Sequence, residues 1–314
     1  MQTLPLMRRI SDDIKIRRFV ERHGEKLETG EFESYRVNLD QLSSVVRRLQ
    51  DSTAIGSGIN SIPGLFLVGL VSAYDLFLSK LIQCVFMARP GLLSSSGRNI
   101  SFKDLTEIGS VEAAKERIIE KEVESVIRES HAKQVDWLEN RLGMKLRKDL
   151  KIWPEFIEIC ERRNLLSHTN GVISSQYIFV CKEHGVNVDG LAVGDSLEIT
   201  SEYYEKAVSV ILEFGTKLTQ VIWRKLLPDQ ISVADSELSD LSYRLITKRR
   251  YSEAVTFLRF ALYEMKKHGE ESTKKIMVVN LANAEKLGGN KGQAEKILSN
   301  EGICSTLLND RFPV

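Results

Sequence analysis

Apolar residues recur mostly three and four positions apart along this chain, a period that predicts helices. A first helix is expected over about 8–23, then a polar loop and a second helix over about 40–50. The Gly/Ser-rich stretch Ala54-Ile55-Gly56-Ser57-Gly58 reads as a turn, after which the longest apolar run begins at Ile62 and ends before Pro90-Gly91. That run has the length of a membrane span, but it carries Asp75 and Lys80. Ser72, Asp75, Ser79 and Gln83 form a narrow polar stripe along it, the pattern of a helix buried in protein. Residues 111–142 place Val111, Ala114, Ile118, Val126, Ile127, Val135, Leu138 and Leu142 at helical spacing among alternating Glu and Lys/Arg. Pro154 opens a further helix, and Asn170-Gly171 supplies residues suited to the left-handed stop. Segment 172–180 is β-prone, and the loop to Thr200 leaves room for a small hairpin. Ser201 is the expected N-cap of a helix whose inner face is Tyr204, Val208, Ile211, Leu218 and Val221, and Pro228 marks a boundary.

Composition narrows the function classes. The 314 residues, 42% of them apolar, make one large domain or two ordinary ones with a real core. Lys plus Arg (44) against Asp plus Glu (43) leaves a net charge of +1, so an anion-binding site must be local rather than a global field. Arg8, Arg9, Asp12, Asp13, Lys15, Arg17 and Arg18 interrupt any signal-peptide core, and no membrane partner is expected. Cys84, Cys160, Cys181 and Cys304 are widely spaced, with no C-x-x-C pair, so neither a zinc ribbon nor another metal site is expected and a reduced cytoplasm suits them.

Beyond about residue 232 the pattern changes. Tyr251-Ser252-Glu253-Ala254 leads to Ala261-Leu262, and Asn280-Leu281-Ala282-Asn283-Ala284 leads through Gly289-Asn290 to Ala294 and Leu298. These segments resemble two tetratricopeptide-like hairpins. Ala254 and Ala294 lie 40 apart where about 34 is usual, which implies an insertion between the units. The expected division is therefore a helical domain over 1–228 and a tetratricopeptide-like tail over 232–314. From 239 to 300 there are 12 Lys/Arg against 7 Asp/Glu, a difference of +5, which reads as a solvated helical surface or as a docking face for an acidic partner or RNA. Helical-repeat tails commonly present docking surfaces, which favours a protein partner. Gly289-Asn290-Lys291-Gly292 lacks the spacing of a nucleotide phosphate loop.

The segment that carries candidate chemistry is Glu161-Arg162-Arg163-Asn164-Leu165-Leu166-Ser167-His168-Thr169-Asn170-Gly171. Ile152, Phe156, Ile159, Arg163 and Leu166 form one helical stripe, and Ile157, Cys160, Asn164 and His168 the adjoining one. An Arg on an inward stripe costs free energy unless it meets an anion or a set of acceptors. A guanidinium, an amide and an imidazole at the negative end of a helix suit the holding and cleaving of a phosphodiester. Spacing alone is weak evidence: Arg17 and Arg18 stand at the same separations from His23, without the Asn-Gly stop. His131, on a charged helix, is expected to face solvent, and His184, before Gly185, to be a turn residue. Trp137, Trp153 and Trp223 read as core or interface residues.

Over about 61–227 the chain resembles the HEPN superfamily, in particular bacterial members with an R-N-x-x-x-H motif near the end of a core helix. The resemblance rests on Glu161 through His168, on Asn170-Gly171-Val172-Ile173, on Ser72-Ala73-Tyr74-Asp75-x-Phe77, and on Gly194-Asp195-x-Leu197-x-Ile199 before Tyr203-Tyr204. It implies a mainly α fold, a HEPN bundle with a small β-prone insertion followed by the tail, and a homodimer whose two motifs meet across a cleft. It also implies a metal-independent endoribonuclease without a cofactor, acting on RNA in the cytoplasm as a toxin or anti-phage defence effector. His168 is then general base or acid, Arg163 stabilises charge on the phosphoryl oxygens, and Asn164 orients His168 or touches the phosphate. Glu161 pairs with Arg162 or with the partner chain. Arg162 also stands at a permitted separation from His168, so the spacing leaves both arginines open. The alternative is a catalytically silent HEPN scaffold or RNA-binding subunit. A protein inhibitor or sensor would bind the tail.

Overall fold

In a computed structural model the protein is mainly α-helical. The structure describes residues 39–300 except 96 and 149, together with 18, 21–22, 25–27 and 34–36; for 25–61 it describes the backbone alone. The helix expected over 8–23 lies almost wholly outside these residues. Two short antiparallel strands, β1 (Glu25–Leu27) and β2 (Ser34–Arg36), precede the helices. These are α1 (Leu39–Ala88), α2 (Phe102–Ile108), α3 (Val111–Ile127), α4 (His131–Leu142), α5 (Trp153–Thr169), α6 (Ser175–Glu183) and α7 (Ser201–Leu226), then α8 (Ile231–Thr247), α9 (Tyr251–Arg259), α10 (Glu271–Leu287) and α11 (Lys291–Asn300).

Three expectations about elements change. The helix over 40–50 and the apolar run are one 50-residue helix that passes through Gly56-Ser57-Gly58 and Pro63. Glycine costs a helix only about 1 kcal/mol relative to alanine, so two of them lower helix propensity without ending it. The β-prone insertion is absent: 175–183 is helix α6, and an isolated bridge between Val172 and Ser196 replaces the hairpin. Tyr177 and Cys181, four apart, are buried on one side of α6, so burial at helical period overrides the β propensity of Tyr, Ile, Phe and Val. The N-cap of α7 is Thr200 rather than Ser201, since the Thr200 hydroxyl accepts from the Tyr203 N–H at 3.1 Å.

The described residues form two compact units. One holds the residues up to Val71 with Glu161–Lys182 and Asn187–Ala207; the other holds Ser72–Cys160, Glu183–Val186 and the chain from Val208. The division cuts α1, α5 and α7 mid-helix, and the end of α7 near 228 is an element boundary within the second unit. Buried residues of the first unit are Leu67, Val71, Leu165, Ile173, Tyr177, Cys181, Val188 and Ala207. In the second, Phe156 stacks on Phe214 with centroids 4.0 Å apart, and Tyr74 meets Phe156 edge-on at 5.1 Å.

His131 corrects the sequence expectation, because it is buried and its Nε2 lies 3.1 Å from Asp75 Oδ1. It stands on one stripe with Val135 and Leu138, both fully buried, so helical period outranks the charged neighbours. His184 does occupy a turn, where Trp153 Nε1 donates to its Nδ1 at 3.4 Å. Along Ile62–Ala88, the one described helix long and apolar enough to cross a membrane, 28% of the most apolar window is buried. The helix thus buries one face (Leu67, Val71, Tyr74, Leu78, Ile82) and leaves Leu65, Phe66, Leu76 and Met87 exposed, so the burial in protein that the polar stripe predicts holds for one side.

Helices α8 with α9 and α10 with α11 form two hairpins packed on one another. Ala254, Ala282 and Ala294 are fully buried, which lets the helices approach closely around Phe257, Met277 and Leu281. The extra residues between the hairpins are a π-helical turn, Phe260–Glu264, and the loop that follows it to Glu270. Asp235, fully buried, accepts from Arg224 Nη2 at 2.5 Å and from the Gly269 N–H at 2.8 Å, and Arg224 Nη1 donates to the Lys267 carbonyl at 3.1 Å. This network holds the inserted loop to the start of α8.

Candidate functional site

Helix α5 presents the candidate residues, and its ends explain how. Pro154 stands at the second helical position, where its fixed φ suits a helix and its missing N–H costs nothing. At the other end Asn170 (φ 51°) and Gly171 (φ 82°) turn left-handed, and the Gly171 N–H donates back to the Leu165 carbonyl at 3.1 Å. The chain then runs beside 194–197: Ile173 N–H donates to Asp195 O at 2.8 Å, Gly194 N–H to Ile173 O at 3.0 Å, and Leu197 N–H to Gly171 O at 2.9 Å. Two segments singled out in the sequence, Asn170–Ile173 and Gly194–Leu197, therefore meet just past the motif.

On the helix itself, Asn164 is half-buried and its Nδ2 donates to Glu161 Oε1 at 3.3 Å. His168 lies in the last turn, exposed, with no hydrogen bond or ion pair to its ring among the described residues. At about 100° per residue, Glu161, Asn164 and His168 share one side of α5 within about 60°. Arg163 lies about 140° around the helix from His168 and Arg162 about 120°. Arg163 is half-buried with its Nε covered, which agrees with its inward position. One helix thus groups Glu161, Asn164 and His168, while the arginines project from other sides.

Arg162 has the most defined setting. Its guanidinium lies over the Tyr203 ring, 4.1 Å from the centroid, and Nη1 reaches the Glu198 carbonyl at 3.4 Å. Neither Tyr203 nor Glu198 is marked by the spacing of the motif, although Tyr203-Tyr204 stands among the residues that carry the resemblance. Tyr204 in turn lies 5.9 Å from the Phe66 ring. Beneath the helix end, a Cβ on Gly171 would stand 3.1 Å from the Leu197 carbonyl oxygen, and one on Gly64 would stand 3.3 Å from Leu166 Cδ2. The turn that ends α5 is built for glycine.

No family model, curated protein or solved structure matches this chain. The site accordingly stands on its own geometry. Among the described residues no group of three or more His, Cys, Asp or Glu could hold a metal ion. What the arrangement offers is an exposed imidazole at the negative end of a helix, an amide one turn below it held by a carboxylate, and two guanidinium groups on the flanks.

Proposed function

We propose that the protein is a metal-independent endoribonuclease of the HEPN type, cytoplasmic, homodimeric, and serving as a toxin or anti-phage defence effector. The observation that carries this reading is the exposed His168 in the last turn of α5, one turn above Asn164, with Arg162 and Arg163 on other sides of the same helix. In the proposed reaction the RNA 2′-hydroxyl oxygen attacks the adjacent phosphorus and the bond from phosphorus to the 5′-oxygen breaks. The 2′-hydroxyl proton leaves to a base and a proton reaches the departing 5′-oxygen, giving a cyclic phosphate and a 5′-hydroxyl end. His168 handles one of those protons, imidazole being a side chain suited to general acid–base work. Arg163 stabilises charge on the phosphoryl oxygens, with a planar fork that lysine lacks. The separation of Arg163 from His168 around one helix supports a site completed by a second copy, whose motif faces the first across the dimer axis. A protein inhibitor or sensor on the tail would keep such a nuclease silent.

Incubation of the wild type and His168→Ala with total RNA in EDTA tests this. The expected result is cleavage by the wild type alone, with 5′-hydroxyl products and a loss of about 10²-fold or more in the variant, the usual scale for a general acid–base residue. Equal cleavage by both would remove His168 from the mechanism. A second reading, a catalytically silent scaffold, is favoured by the lack of any group hydrogen-bonded to the His168 ring among the described residues. It predicts no cleavage by either protein and an unchanged oligomeric state in Arg163→Ala.

A further inference from the structure

A groove of about 840 Å³ in the tail takes no part in the chemistry proposed for α5. Its lining includes Val255, partly exposed, among polar residues, with Tyr251, Ser252, Asn290 and Lys291 contributing. The volume lies within the range of sites that enclose small ligands or short peptide stretches.

The charges around it are one-sided. The lining carboxylate, Glu285, is buried and already satisfied: Arg259 Nη2 donates to it at 2.7 Å and Asn290 Nδ2 at 2.9 Å. Lys291 on the rim is exposed and makes no ion pair among the described residues. The turn between α8 and α9 carries two more cations a few residues before the lining residue Tyr251. A Cβ on Gly288 would stand 3.7 Å from Tyr251 Cβ, so the α10–α11 turn abuts the start of α9. Lys248 and Arg249, immediately before it, are exposed and likewise form no ion pair among the described residues. Arg249 is fixed in a left-handed turn (φ 59°), and the Arg250 N–H donates to the Leu245 carbonyl at 2.9 Å, so the turn is ordered. The positive end of the α11 dipole opens on the same rim.

We infer that this groove docks an acidic peptide segment of a partner protein, one that places an aliphatic side chain on Val255 and a carboxylate near Lys291, and whose further carboxylates run on toward Lys248 and Arg249. The inference rests on the tail's role as the docking site of a regulatory partner and names the surface and chemistry of that docking. Charge complementarity selects an anionic occupant. The lining favours peptide over RNA, because single-stranded nucleic acid is held chiefly by stacking on open aromatic faces, and the one aromatic ring in the lining, Tyr251, is half-buried.

Fluorescence anisotropy on the full chain tests it with a fluorescein-labelled hexapeptide, Glu-Leu-Glu-Asp-Leu-Glu. Its Lys-for-acid counterpart and a labelled 2′-O-methyl hexanucleotide, which the proposed nuclease chemistry cannot cut, serve as comparisons. The acidic peptide is expected to bind and the basic one not. Lys291→Glu is expected to weaken binding on the order of tenfold, since a charge reversal trades an attraction for a repulsion. Ser252→Trp, at an exposed position, fills the groove without changing charge and is expected to weaken binding comparably. Absence of acidic-peptide binding overturns the inference, as does binding unmoved by both variants. An oligonucleotide that binds as tightly and is equally lost in Ser252→Trp marks the groove as a nucleic-acid site and overturns it too. RNA cleavage in EDTA is read separately on the same preparations, so failure of the groove and failure of the nuclease reading are distinguishable.

Discussion

Gly171 holds φ 82°, and a Cβ there would press on the Leu197 carbonyl oxygen at 3.1 Å. Both constraints act on the residue that turns the chain away from α5. Gly171→Ala is expected to lower stability by about 1–3 kcal/mol, the scale of a non-glycine residue held in a left-handed conformation plus a close contact. Thermal unfolding of the variant measures it, and an unchanged midpoint would mean that the turn relaxes freely. The Asn-Gly pair was legible in the sequence because few residues accept that backbone. The surroundings of Arg162 were not: the Tyr203 ring comes from a helix about 40 residues later, and no local spacing announces a stacking partner. The helical period puts His168 on a stripe with Ile157 and Cys160, yet it is exposed, because α5 runs past the buried residues that end at Leu165.

At the scale of elements, helical period identified α3 through α5 and the two hairpins, since each buries one face at spacings of three and four. It failed where propensity and burial conflict. Segment 175–183 has strand-forming residues, yet two buried positions four apart settle it as α6. The insertion between the hairpins was legible only as a length, 40 residues where about 34 is usual. Its attachment depends on Asp235 and Arg224, whose side chains are 1% and 10% exposed, and on Gly269, where a Cβ would fall 2.1 Å from the Ser232 hydroxyl oxygen. Removing one member of such a buried pair leaves an uncompensated charge. Asp235→Ala is expected to cost about 3–5 kcal/mol, and Asp235→Ala with Arg224→Met appreciably less. Denaturant midpoints of the single and double variants give the comparison; a double variant no better than the single would locate the loss in the Gly269 contact instead.

For the molecule as a whole, paired carboxylates set the response to acid. Burial alone would raise the pKa of Glu139, but hydrogen bonds from the Arg147 side chain and from the Arg147 and Leu146 N–H groups outweigh it and hold the carboxyl below its ordinary value. In Glu253 burial is likewise outweighed, by Arg250 and the Ser209 hydroxyl. A folded pKa below the unfolded one, about 4.3 for glutamate, gives stability that is fully present above that pH and lost as pH falls through the lower folded value. The unfolding midpoint is therefore expected to hold steady to about pH 5 and to decline below about pH 4. Glu139→Gln should lower the midpoint at neutral pH, and its gap from the wild type should close in acid. A gap independent of pH would show that Glu139 acts through packing alone.

The sequence by itself determined that the protein is mainly α, that a helix ends at Asn170-Gly171 with a basic, amide and imidazole set before it, and that two helical hairpins follow residue 231. Those features are local: a helical period, a left-handed stop and small residues at close approaches are written within a dozen positions of where they act. Tertiary structure alone decided that His131 is buried against Asp75, that Arg162 lies on Tyr203, that 194–197 runs beside the turn after α5, and that the groove of the tail has Glu285 neutralised by Arg259 while Lys291 makes no ion pair among the described residues. Each of these joins residues tens of positions apart, and a single chain's period and composition do not encode which distant side chain will share a volume or a charge.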